Sequence, residues 1–108
     1  MINGVRHVFV ALDTEDAVAQ LTPDLAALAR LLPAHGANCF AGQGRRWKTR
    51  MFGPGLGIAE DPATGSGAGP LAVYLVRHGR IAFGEEIEIA QGAEIGRSST
   101  LHARGRAR

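Results

Sequence analysis

"EDPATGSGAGPLAVYLV", residues 60–76, decides how this chain folds. Two acids and a proline lead into a run of small residues, and an apolar row follows, Leu71, Ala72, Val73, Tyr74, Leu75 and Val76. A row that is apolar on all sides predicts a helix over 67–78 that other elements enclose, with Gly79 as the residue that terminates it. Pro70 suits such a helix near its start, where its missing N–H falls among groups that have no intrahelical partner. A helix N-terminus presents unpaired N–H groups and partial positive charge, so it binds an anion such as a carboxylate or phosphate without a cationic side chain. Gly65, Gly67, Ala68 and Gly69 leave that backbone open, and Thr64 and Ser66 add hydroxyls. Thr64, Gly65, Ser66 and Gly67 are therefore candidate substrate-binding residues.

Asp61 stands just before this seat, and Pro62 restricts its backbone. Its carboxylate can hold or relay a proton if burial raises its pKa, and Glu60 beside it opposes double ionisation if both are desolvated. Ordinary capping competes on even terms with chemistry for such residues. The preceding "GPGLG" has neither the GxGxxG spacing nor the lysine of a phosphate loop, which argues against a nucleotide.

Outward from this segment, "RHVFVAL" at 6–12 reads as a strand, rich in β-branched residues. "LTPDLAALARLLPAHG" reads as a helix with Thr22 as N-cap, Pro23 at the first helical position and Leu25, Leu28, Ala29 and Leu32 at helical spacing. "ANCFAG" and "RWKTRMFG" read as strands. The second alternates Trp47, Thr49 and Met51 against Arg46, Lys48 and Arg50, which predicts one wet face. "EEIEIAQG" and "SSTLHARG" supply two more strands. The order β-α-β-β-α-β-β predicts an α+β domain, a mixed and mostly antiparallel sheet curled around a central helix.

With 108 residues, 45% of them hydrophobic and 20% charged, the chain suits one globular domain over 1–108. A core this small invites a partner subunit. The net charge of +2 comes largely from Arg45, Arg46 and the arginine-rich end of the chain, without interleaved aromatics, so nucleic acid is not the expected partner. One cysteine, Cys39, fits a reducing cytoplasm. The four histidines lack metal-ligand spacing, so no metal is expected. No apolar run is long enough to span a membrane, and the first residues lack a signal-peptide layout.

"EDPATGS" with "AGPLAVYLV", together with the closing "IEIAQGAEIGRSSTLHA" and the opening "GVRHVFVAL" and "LTPDLAAL", resembles the phenazine-biosynthesis isomerase family, PhzF-like, of the diaminopimelate-epimerase-like fold. The likeness spans nearly the whole chain but only the C-terminal half of the family's usual two-domain protein. It implies a small carboxylate substrate held at the helix N-terminus by Thr64, Gly65, Ser66 and Gly67, with Asp61 and Ser66 as catalytic residues. It further implies isomerisation or epimerisation by proton transfer without a cofactor. The family's catalytic glutamate belongs to the other domain and has no counterpart here, and Ser98 replaces the family's usual proline after "GR".

Half a cleft leaves three arrangements open: a homodimer that rebuilds the site, a separately encoded N-terminal-type partner domain, or the truncated remnant of a two-domain isomerase. A non-catalytic small-acid binder or interaction module is the competing reading. Cys39 invites comparison with cysteine-based epimerases, but its strand context reads as inert core. His7 and His102 reach the site only if they face the helix start. Trp47 and Arg97 serve either an interface or their own sheet.

Overall fold

A computed structural model describes residues 6–61 and 65–105. Six strands form one sheet, β1 (Arg6–Ala11), β2 (His35–Gln43), β3 (Arg46–Gly53), β4 (Ile58–Asp61), β5 (Glu86–Gln91) and β6 (Ser99–Arg104). They run in the spatial order β1-β2-β3-β5-β6, with β4 paired to β3 off that path. The β2–β3, β3–β4 and β5–β6 pairs are antiparallel, whereas β1–β2 and β3–β5 are parallel. The sheet is thus mixed and mostly antiparallel, as the sequence predicts.

Three helices pack on it, α1 (Glu15–Ala19), α2 (Leu25–Leu31) and α3 (Gly65–Arg77). On the concave side, Ala68, Leu71, Ala72 and Leu75 of α3 meet Phe40, Trp47, Ile87 and Ile89 in one buried cluster, and Phe9, Leu101 and Ala103 close around it. Every strand but β4 gives a residue to this cluster, so the sheet curls around α3. Trp47 belongs to its own sheet's core, and its indole N–H donates to the Gly44 carbonyl at 2.9 Å.

Several details differ from the sequence reading. The five-residue α1 went unread: Thr14 caps it, accepting from the Ala17 N–H at 3.0 Å, and Val18 is its one buried anchor. The N-cap of α2 is Asp24, not Thr22; its carboxylate accepts from the Ala27 N–H at 3.0 Å, which leaves Pro23 before the helix. α3 starts two residues earlier than predicted, so Pro70 lies in its second turn with its ring exposed, where the helix carbonyl deprived of a donor can face water. Nor is α3 enclosed on all sides. Val73, Tyr74 and Val76 are only half-buried, and the outer flank lines an open depression of about 600 Å³ with Phe9 and Arg104. Gly79 does terminate it, at φ +71°.

The face of β3 expected to be wet is so only at its start, where Arg46 is exposed and Lys48 half-buried; further along it is covered. Arg50 is buried there, because α1 presents the carbonyls of Val18 and Ala19, followed by that of Leu21, to its guanidinium at 3.2, 3.1 and 2.9 Å. An arginine can be buried at such a position when its donors are satisfied this fully.

Candidate functional site at the start of the central helix

The four residues that follow "GPGLG" form a strand, β4. β4 pairs with β3 in the register Met51↔Asp61, and opposite residues of an antiparallel pair share a face. Asp61 therefore lies on the face of Met51, the concave face that carries α3, while Glu60 points to the other side by the two-residue alternation of a strand. There Glu60 meets Arg50 in a two-pronged pair: Nε donates to Oε2 at 3.0 Å and Nη2 to Oε1 at 2.9 Å. The paired acids of the sequence thus have separate tasks. Mutual repulsion between Glu60 and Asp61 within one pocket, expected from their adjacency, does not arise.

Asp61 is anchored by its backbone. The side-chain amide of Gln91, on β5, donates to the Asp61 carbonyl at 2.7 Å, and the Thr49 hydroxyl donates to the Gln91 Oε1 at 3.2 Å. Thr49 and Gln91 are both buried, so this chain of bonds fixes the end of β4 against the middle of the sheet. Asn38, Thr49 and Gln91 form a polar floor beneath Ala68 and Leu71 of α3, and Asn38 is also buried. Sequence reasoning missed this floor. The "QG" pair and the alternation of β3 were the signals for it.

Of the residues expected to bind substrate, Gly65, Ser66 and Gly67 form the first turn of α3 by their backbone, which begins four positions after Asp61. Thr64 lies outside the described residues, as does the hydroxyl of Ser66. α3 has thirteen residues, long enough for its dipole to act at that end.

His7 takes the face of the sheet that carries α3. Phe9 packs on Tyr74 with ring centroids 5.5 Å apart, and His7, two residues earlier on β1, shares that face and stacks on Phe9 at 6.0 Å. Burial pushes its imidazole below the usual pKa of 6.5, and the negative charge of Asp61 partly offsets this. His102 sits on the exposed side of β6, 3.7 Å from Glu86, away from α3. Arg97 is exposed. Cys39 is buried on the face of Arg50 and Glu60, where burial pushes its thiol up; it does not share a face with Asp61. Among the described residues, no three histidine, cysteine or acidic side chains come together as a metal would need. No described helix is long and apolar enough to cross a membrane.

A mixed sheet curled around one central helix is the half-unit of the diaminopimelate-epimerase-like fold. The chain belongs to the phenazine biosynthesis-like protein family, PhzC-PhzF, which matches it over residues 1–107. It is similar to the trans-2,3-dihydro-3-hydroxyanthranilate isomerases of Pseudomonas chlororaphis, at 56% identity, and of Pseudomonas fluorescens, at 55%. Each alignment takes in 98% of this chain but 38% of the relative, so the chain spans well under half the length of these proteins. A crystal structure of a Bacillus anthracis phenazine biosynthesis protein of the PhzF family superposes with a TM-score of 0.75 at 19% identity. It covers 92% of this chain and 36% of that one, a likeness of fold.

Proposed function

We propose that the junction of β4 and α3 is one wall of an isomerase site for a small cyclic carboxylate, of the kind named for the Pseudomonas relatives. The observation that carries this reading is that Asp61 lies on the concave face, anchored through Gln91, at the end of the strand that precedes α3 in the chain. The N–H groups of that turn receive the substrate carboxylate, with Gly65 and Gly67 leaving the backbone open and Thr64 and Ser66 adding hydroxyls. The carboxylate and the ring's conjugated double bonds spread the charge left when a proton departs a ring carbon. A base takes that proton as the C–H bond breaks, the double bonds shift, and a proton is delivered to a different ring carbon, so atoms and charge balance without a cofactor. Asp61 holds or relays the proton, and Ser66 orients the carboxylate.

One wall does not make a cleft, since proton transfer at carbon needs a base held against that carbon. The opposite wall comes from a second copy of this domain or from a further domain. Light scattering of the chain, combined with an NMR assay on trans-2,3-dihydro-3-hydroxyanthranilate, tests this. A dimer that isomerises the substrate, and an Asp61→Asn variant that does not, is the expected outcome. Turnover that survives Asp61→Asn would remove Asp61 from the mechanism. A monomer that binds the carboxylate without turnover would make the chain a binding half that needs a partner.

A further inference from the structure

The sheet register puts a second ionisable group at this site. β1 and β2 are parallel, with His7 opposite Gly36 and Phe9 opposite Asn38. On β2, Phe40 packs against Tyr74 at 5.5 Å, whereas Asn38 lies beneath Ala68 and Leu71, closer to the start of α3. Stepping back two more residues, to Gly36 and its neighbour His7, reaches the level of the first turn. A Cβ at Gly36 would stand 2.9 Å from the Met51 Sδ and 3.6 Å from the His7 Nδ1, so Gly36 is the gap through which the imidazole and Met51 approach each other. Met51 is in turn the direct partner of Asp61. His7 and Asp61 thus flank the same stretch of concave face, from opposite sides of β2 and β3.

We propose that His7 is a positioning residue of the substrate site that pairs with Asp61 and takes up a proton when a carboxylate occupies the start of α3. The proposal rests on the site reading above. Phe9, Gly36 and Met51, which lie against the imidazole, carry no charge, and the negative charge of Asp61 acts on it. His7 is half-buried, and that burial favours its neutral form in the empty site. A bound carboxylate adds a second negative charge to the same surface and favours the imidazolium, which then offsets the repulsion between that ligand and Asp61. Without such a cation, Asp61 and an anionic substrate would oppose each other at short range.

The test is a pH titration of the His7 ring by NMR in wild type and Asp61→Asn, without ligand and with anthranilate as probe. Asp61→Asn is expected to lower the His7 midpoint, and anthranilate to raise it in wild type. Anthranilate affinity should rise as pH falls through that midpoint, by at most about tenfold per pH unit for one linked proton. His7→Gln should flatten this dependence. His7 is only half-buried on an edge strand, and the methyl signals of Leu71 and Leu75 verify that each variant keeps its core. A His7 midpoint unmoved by Asp61→Asn, or a pH dependence that persists in His7→Gln, overturns the pairing alone. Failure of anthranilate to shift the wild-type amides of 65–69 overturns the anion seat, and the role of the pair with it.

Discussion

Arg50 and Glu60 meet through two parallel hydrogen bonds of 3.0 and 2.9 Å on the face of the sheet opposite Asp61, with both side chains nine-tenths buried. The same guanidinium binds three carbonyls at the end of α1, so one side chain ties α1 to the strand that carries Asp61. Its hydrogen bond to Glu60, opposed by burial, raises its pKa, so it is charged at any working pH. Glu60→Ala leaves that charge buried without its main partner. The expected cost is about 3 kcal/mol or more, read as a lower urea midpoint. A loss under 1 kcal/mol would show that Glu94, 3.8 Å from Arg50, takes over the pairing.

Glu94 makes stability depend on acid. Burial pushes its carboxyl up, but the Lys48 ammonium at 2.6 Å, the backbone bond and Arg50 together outweigh burial and hold it below its usual 4.5. A carboxylate with a depressed folded-state pKa contributes stability that is fully present above its unfolded value and is lost as pH falls through the folded one. The window therefore lies below about pH 4.5. Urea midpoints of wild type and Glu94→Gln should converge as the pH drops through that window and stay apart above it. A constant gap would show that the Lys48 pair is not coupled to ionisation of Glu94.

Gln91 is expected to act on both stability and binding. Gln91→Leu fills a similar volume but strips the Asp61 carbonyl of its donor and the Thr49 hydroxyl of its acceptor, at a cost of about 1–3 kcal/mol. Thr49→Val removes the far end of the chain and leaves the Gln91–Asp61 bond in place. Anthranilate affinity should therefore fall more in Gln91→Leu than in Thr49→Val. Equal losses would mean that the end of β4 does not depend on Gln91 for its position.

The sequence carried the large elements because each had a period. The alternation in "EEIEIAQG" matches the buried Ile87 and Ile89, and the apolar row of α3 supplies Leu71 and Leu75. What escaped had no period to detect. α1 is five residues long with Val18 as its sole buried anchor, and the four residues of β4 follow a glycine-rich turn and are strand only because β3 offers them partners. Missing β4 meant missing its alternation, which is what separates Glu60 from Asp61. Asp61 itself was legible from its place before the helix. His7 was visible as a strand histidine, but the face it takes follows from the pairing of β1 with β2, a contact between residues far apart in the chain.

Gly105 sets how closely the end of β6 approaches α3. It is buried, and a Cβ there would collide with Val76 and stand 2.7 Å from the Ala72 carbonyl oxygen. Backbone cannot yield as a flexible side chain can, so Gly105→Ala must push the strand end and the helix apart. The Gly105 carbonyl also accepts from the Gly84 N–H at 2.6 Å, and that bond would move with it. The expected loss is about 1–3 kcal/mol, with amide exchange faster at Gly84 and through β6 than in β2. The first turn of α3 lies at the other end of the helix, so carboxylate binding measured well below the melting temperature should persist. A variant as stable as wild type would show that β6 can withdraw from Ala72 without disturbing Leu101 and Ala103 in the core.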